Sequence, residues 1–459
     1  MGTVEGDLQK VIPKVIDIIT KPSRGLQVVI LVLASLAITV LYGAMNRTIW
    51  IDEFLHFALA SGSWTDTFEM IWKSTGNGVN HGQTGTYMLI DAALLKTFGA
   101  SNFLLRLPTY LAMIAYCLTS VAFIRIKTKA FSWQLLMLVV IVAQIRLSEN
   151  GADARPYMFL VSSTVALLAF YALDPISKRR WFGWSLLFYG IFVGALMHPY
   201  WLPITGLVAL FSWFVRNKAN YAKARFSDFL SFIESKFLAL GLIAFFAVGL
   251  PTWMRGSPTF GFDPFQEIAR EYFLYYFRAI HFGFIYRGDV IVLVLGVVVG
   301  TLILWFRNKG AVKLIAPITL IVVGLSSSAV FSVLSYLRDY WIMERQWVVG
   351  QALVAIGTVW LIFEISRVAK RMDSFALRAF QLGLVLVIAL AALLATQDRI
   401  EKYDTNQQFW TKVDLDGRTF EEVLESKELS AQDWLYLANL NISQGGPVRP
   451  EFKRYYGLD

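Results

Sequence analysis

Charge is scarce in this sequence. Only 16% of its 459 residues are Asp, Glu, Lys or Arg, against roughly 25% in an average soluble chain, and a cytosolic enzyme with a fully solvated surface is thereby excluded. Cysteine is nearly missing: Cys117 stands alone, which rules out a disulfide framework, a thiolate zinc site and a CxxC redox pair. Histidine occurs four times and forms no HxxH, HExxH or EF-type spacing. No glycine-rich nucleotide fingerprint follows a strand pattern, and no internal repeat is evident. What fills the chain instead is apolar surface, with 56% hydrophobic and 15% aromatic residues, a composition suited to lipid as solvent. The formal charge of +9 falls between the apolar runs, where it reads as a topology signal rather than a nucleic-acid footprint.

Eleven uncharged stretches come near the ~20 residues needed to cross a hydrocarbon core of about 30 Å. They run Leu26–Met45, Leu107–Ile124, Phe131–Ile145, Tyr157–Leu173, Trp181–Met197, Pro199–Val215, Phe237–Met254, Val290–Phe306, Leu314–Leu337, Trp347–Phe363 and Ala379–Thr396. The expected fold is therefore an all-α polytopic membrane protein of about 11 transmembrane helices over residues 26–396, with juxtamembrane helices in a first outer loop, 46–106. Lys and Arg gather in alternate loops, around Arg24, Lys127, Arg179, Arg216, Lys309 and Lys370, and the positive-inside bias puts those loops in the cytoplasm. Residues 1–25 read as a cytoplasmic amphipathic segment, with Val11, Ile12, Val15, Ile16, Ile18 and Ile19 beside lysines. Residues 397–459 read as an extracytoplasmic tail of short helices, marked by the capping boxes Thr419 with Glu422 and Ser430 with Asp433.

Ionisable residues near the outer ends of the runs are the candidates for chemistry. Trp50-Ile51-Asp52-Glu53-Phe54-Leu55-His56 sets an acidic pair among aromatics one turn beyond the first run. On a helix neighbouring residues diverge by about 100 degrees, so Asp52 and Glu53 face different partners and Asp52 shares its face with His56. Read blandly, the same acids merely start an interfacial helix at its positive dipole end. Asn80-His81 precedes an apolar stretch, Tyr87 to Phe98, that Asp91 and Lys96 interrupt, which argues for a helix along the outer interface rather than a span. His81 alone is as compatible with a hydrogen-bonded structural role. Asp153-Ala154-Arg155-Pro156-Tyr157 forms a tight outer hairpin whose Arg155 either snorkels or offers its planar fork to a lipid-borne phosphate, with Asp153 orienting it. Arg106, and Glu344-Arg345 ahead of the tenth run, invite the same reading.

These pieces, together with Leu105-Arg106-Leu107-Pro108 and Met197-His198-Pro199-Tyr200, occur in an order that resembles the GT-C glycosyltransferases using polyprenyl-phosphate sugars, of the protein-mannosyltransferase and aminoarabinose-transferase kind. The likeness runs from about Gly25 to Pro203, with the Arg345 region similar farther on. It departs where the family often has His-Pro-Pro and this chain has His81-Gly82-Gln83, and where Glu-Ala-Arg is common and this chain has Asp153-Ala154-Arg155. The resemblance implies a GT-C-like bundle in a bacterial inner membrane and an inverting transfer on its outer face. The sugar would pass from a carrier such as undecaprenyl phosphate to a cell-envelope acceptor, with membrane lipid around the enzyme and no nucleic acid. It implies Asp52 as catalytic base, Arg155, Arg345 and Arg106 as holders of the donor phosphate, and Glu53, His56, His81, Asp153 and His198 as residues that position the acceptor or shape the site. No cofactor beyond the lipid-linked sugar is required, although some relatives hold a divalent cation. A secondary transporter or flippase of a lipid-linked or small anionic substrate is the main alternative, and a noncatalytic scaffold a third. A transporter predicts charges near the midplane, whereas these gather at one face.

Overall fold

The computed structural model describes residues 23–42, 48–73, 84–144, 153–217, 226–251, 312–338, 348–372, scattered positions from 375 to 397, and 416–456 except 427. In chain order the α-helices are α1 (Arg24–Tyr42), α2 (Ile51–Leu59), α3 (Trp64–Lys73), α4 (Gly85–Phe98), α5 (Asn102–Lys127), α6 (Phe131–Ala143), α7 (Tyr157–Ala172), α8 (Pro175–Lys178), α9 (Trp181–Phe188), α10 (Gly194–Met197), α11 (Trp201–Asn217), α12 (Phe226–Phe232), α13 (Ser235–Ala244), α14 (Val312–Arg338), α15 (Val348–Met372), α16 (Phe420–Leu424) and α17 (Ala431–Gln444). A 3-10 segment, Pro450–Tyr456, follows. No strand occurs among the described residues, so the all-α polytopic expectation holds there.

Among the described residues, three helices are long and apolar enough to cross a membrane: Arg24–Leu41, Asn102–Lys127 and Val348–Val368. Shorter apolar helices coincide with most of the other predicted runs, while Val290–Phe306 lies outside the described residues. Helix α7 is apolar all round, and every residue from Tyr157 to Tyr171 is buried, as a helix surrounded by others must be. It packs most extensively on α5. By contrast α1 turns Val28, Val29, Leu33 and Val40 outward, an exposed apolar face that only lipid or another apolar surface satisfies. Helices α9 and α10 are joined through a π-helical turn, Tyr189–Val193, where Trp201 Nε1 donates to the Gly190 carbonyl at 2.9 Å. A wide turn loosens the ordinary backbone ladder, and here the indole of the next helix takes up the carbonyl. That bond seats the corner carrying His198.

The short helices between α1 and α5 are not simply laid on an interface. The sequence reading of α4 as a surface helix is corrected by its two charges, which are turned into protein. Asp91 is fully buried against His56, and Lys96 Nζ donates to the carbonyls of Ala60, at 3.1 Å, and Gly62. An acid and an amine inside an apolar helix are tolerated when other elements satisfy them. The tail closes over α2: both capping boxes form, and Phe54 meets Trp434, Phe452 and Tyr455, with the T-shaped Tyr455 contact at 4.9 Å between centroids. Tail and bundle thus share one hydrophobic core.

Gly99, between α4 and α5, is where the tail is moored. Its φ of 91° is a conformation that suits glycine, a Cβ there would lie 2.5 Å from the Gly446 carbonyl oxygen, and the adjacent Ala100 N–H donates to that same oxygen at 2.7 Å. Replacing Gly99 with Ala should therefore cost about 1–3 kcal/mol and loosen residues 431–456, seen as a lower thermal midpoint and faster proteolysis within the tail. Wild-type protection of the tail in that variant would show that this mooring is dispensable.

Candidate active site

Asp52 and Glu53 open helix α2, and their divergence around its axis gives them different partners. Glu53 is completely buried and accepts from Arg106 twice, from Nε at 2.8 Å and from Nη2 at 2.7 Å. Its Oε1 also accepts from the Ala154 N–H at 3.0 Å, and its Oε2 from the Trp50 N–H at 3.4 Å. One carboxylate therefore ties α2, α5 and the 153–155 turn together. Arg106 Nη2 also donates to the Thr48 carbonyl at 3.3 Å. A guanidinium so enclosed and so committed is not free to grip a substrate phosphate, so the geometry revises the sequence expectation for Arg106, and that for Glu53 as an acceptor contact, to a positioning role.

Asp52 is different. It is 16% exposed, and it is ion-paired to Nη2 of Arg155, whose side chain is 1% exposed. The Arg155 guanidinium lies 5.6 Å from the centre of the Trp50 ring, and its Nε has no hydrogen-bond partner among the described residues. Its backbone is fixed on both sides: the N–H donates to the Asp153 carbonyl at 2.7 Å, and the carbonyl accepts from Thr109 Oγ1 at 3.2 Å. Asp153 thus acts on Arg155 through the main chain. The chain of contacts continues from Thr109 to Tyr87 OH at 2.7 Å, and the Tyr87 ring stands edge-on to His56 at 5.2 Å.

His56, on the same helical face as Asp52, finds a partner on α4. Its Nδ1 lies 2.8 Å from Asp91 Oδ2, both side chains being fully buried. His198 is also buried; its Nδ1 accepts from the Tyr200 N–H at 3.2 Å, and its ring stands 5.2 Å from that of Tyr157, two residues beyond Arg155. His81 and Arg345 lie outside the described residues. Among the described residues no group of three or more His, Cys, Asp or Glu side chains could hold a metal ion.

Sequence reasoning missed the tail's part in this site. The Asn439 Oδ1 accepts from the Ile49 N–H at 3.0 Å, and Tyr456 OH donates to the Leu55 carbonyl at 2.8 Å, so residues far along the chain fasten both ends of the segment bearing Asp52. Tyr455 lies close enough for the Asp52 charge to add to burial in pushing its phenol above the usual value. The aromatic cluster Phe452, Tyr455 and Tyr456 after two capped helices was the available signal. So was Asp91, whose place in an apolar helix demanded a buried partner.

No family model matches the chain, and no curated protein matches it. Solved structures do. The chain is similar to ArnT from Cupriavidus metallidurans bound to undecaprenyl phosphate, at 12% identity and a TM-score of 0.46, over 95% of this chain and 77% of that one. The apo state of the same protein aligns at 11% identity and a TM-score of 0.33, over 89% of this chain and 84% of that one. The oligosaccharyltransferase of Archaeoglobus fulgidus, in its apo form, aligns at 12% identity and a TM-score of 0.43, over 92% of this chain; the alignment spans 60% of the archaeal protein.

Two measurements probe the buried charges. Glu53→Gln leaves the Arg106 guanidinium buried without its counter-charge and is expected to cost about 3–5 kcal/mol of stability in detergent, part of which the double variant Glu53→Gln, Arg106→Met recovers. Equal stability of the single variant and the wild type would remove this clamp from the account. Burial, and then the negative charge of Glu53, push the Asp91 carboxyl well above the usual carboxylate range. A raised folded-state value means a stabilising contribution that is full below the unfolded value of about 4 and is lost as pH rises through the folded one. Asp91→Asn should flatten that fall when unfolding is followed from acid to neutral pH; parallel profiles would contradict it.

Proposed function

We propose that this chain is an inverting GT-C-type glycosyltransferase that moves a sugar from a polyprenyl-phosphate carrier to a hydroxyl or phosphate of a cell-envelope acceptor, on the outer face of a bacterial inner membrane with the amino terminus in the cytoplasm. The observation that carries the reading is the pairing of one partly exposed acid, Asp52, with a buried arginine, Arg155, that keeps an unused donor. The motif resemblance supplies the substrate class.

The chemistry asks for few groups. Phosphate leaves as a stable anion, so no general acid is needed, unlike the two carboxylates of most glycosidases. In the resting protein Asp52 and Arg155 satisfy one another. When the donor arrives, its phosphate takes the Arg155 guanidinium, which leaves the Asp52 carboxylate free for the acceptor hydroxyl. The acceptor oxygen then attacks the anomeric carbon from the face opposite the phosphate, its proton passes to Asp52, and the carbon–oxygen bond to phosphate breaks with its electron pair on the departing polyprenyl phosphate. Arg155 stabilises that developing charge in a site shielded by Trp50. Arg345 is proposed to share the phosphate, and His81 to hold the acceptor. Asp153 and His198 keep the Arg155-Pro156-Tyr157 lip in place, and Glu53, Arg106 and the tail hold Asp52 in register. No step is routed through a divalent cation, and the Glu53 carboxylate is already committed to Arg106.

Purified enzyme in detergent, given undecaprenyl-phosphate sugars and envelope extracts, should release undecaprenyl phosphate. Asp52→Asn is expected to slow that release by about 10²–10⁴, the usual contribution of a positioned base, in protein that still folds although the buried Arg155 has lost its counter-charge. Arg155→Lys, which keeps the charge but loses the planar fork, should weaken donor use by roughly tenfold or more. Undiminished turnover in Asp52→Asn would refute the assignment.

A further inference from the structure

Arg155 holds its guanidinium against Asp52 from a turn just outside the ladder of the adjoining helix. The first N–H groups of α7, those of Phe159 and Leu160, both donate to the Pro156 carbonyl, at 3.0 and 3.2 Å. Pro156 itself has no N–H to give, and its φ is fixed at −75°. The Arg155 carbonyl is met instead from α5, by the Thr109 hydroxyl at 3.2 Å.

Thr109 behaves unlike the other threonine of its helix. A threonine inside an α-helix commonly bonds back to the carbonyl four residues earlier, and Thr119 does so, donating to Ala115 at 2.7 Å. Thr109 is fully buried and directs its proton to a segment 46 positions along the chain. With that proton committed, the 2.7 Å contact between its oxygen and Tyr87 OH has one polarity: Tyr87 donates and Thr109 accepts. Tyr87 is fully buried too, its ring set edge-on to His56 at 5.2 Å and to Phe159 at 6.1 Å, so its hydroxyl has a fixed position from which to orient Thr109. The N–H groups of Ala154 and Arg155 are taken by Glu53 and by the Asp153 carbonyl, and Thr109 supplies the third main-chain anchor of this turn.

Transfer as proposed above asks the guanidinium to pass from Asp52 to the donor phosphate, a short swing that is reproducible only about a fixed main chain. We propose that Thr109, oriented by Tyr87, is a positioning residue for that step: it pins the Arg155 main chain so that the guanidinium stays at Asp52 and within reach of the phosphate. The effect on the phosphate rests on the glycosyl-transfer reading; the placement of Arg155 does not.

The test uses full-length protein in detergent carrying Thr109→Val, which exchanges the hydroxyl for a methyl of similar size, Thr109→Ser, which keeps it, or Tyr87→Phe, which removes only the phenolic oxygen. One readout is the affinity for undecaprenyl phosphate. The other is the Nε–H resonance of Arg155 in protein labelled with ¹⁵N-arginine, identified as the signal lost in Arg155→Lys; the Trp50 ring, 5.6 Å from the guanidinium, makes it sensitive to position. Thr109→Val should displace the resonance and weaken undecaprenyl phosphate binding about tenfold, Tyr87→Phe should act in the same direction, and Thr109→Ser should restore both readouts. Thr119→Val, which removes a hydroxyl bonded within its own helix, should change neither. A displaced Arg155 resonance in Thr109→Val, in a protein whose wild type neither binds nor releases undecaprenyl phosphate, would count against the transferase reading and still support the placement of Arg155. An unmoved resonance together with wild-type affinity in folded Thr109→Val and Tyr87→Phe proteins would overturn the proposal and leave the transferase reading standing.

Discussion

A single buried carboxylate organises the end of the bundle that carries Asp52. Glu53 gathers a bidentate guanidinium and a main-chain N–H into one low-dielectric spot, and in doing so it fixes where α2 begins, where α5 begins and where the 153–155 turn folds back. Charge in such a place is costly unless every lone pair is met, and here four donor contacts meet it. The neighbouring residue inherits the benefit. With Glu53 committed, the helical twist leaves Asp52 facing the other way, toward Arg155 and partial access to solvent. Two adjacent acids are thus divided between a fully buried clamp and a partly exposed ion pair.

Much of that division was readable in the sequence, though not its direction. In a chain so poor in charge, an acidic pair, an arginine in a tight hairpin and an arginine ahead of a proline-bearing helix stand out at once. Helical geometry predicts that Asp52 and Glu53 part company. It does not say which arginine each will find, because Arg106 and Arg155 lie more than fifty and one hundred residues away and either could serve by type alone. The His56–Asp91 pair escaped for the same reason: each residue was noticed, one as a neighbour of Asp52 and the other as a blemish in an apolar stretch, while their meeting depends on how α2 and α4 pack.

The bundle itself follows from simpler rules. Apolar runs became helices, the run that is apolar on every side became the enclosed α7, and runs with an outward apolar face stayed at the periphery. Of the six basic clusters, three come near one another at Lys127, Lys178 and Arg216, around aromatic rings that shelter their stems and cations. The molecule has a polar constellation at each end, and the same α5 and α7 helices run between them.

The tail has a bearing on how the molecule comes into being. Tyr456 reaches back across 401 positions to close on the Leu55 carbonyl, and Asn439 across 390 to the Ile49 amide. On a ribosome feeding helices into a bilayer one after another, the segment bearing the acid emerges some 390 to 401 positions ahead of its clasp. Residues 439–456 must be made and folded before both ends of that segment are fastened, so a chain cut ahead of them holds the Asp52 carboxylate without its clasp.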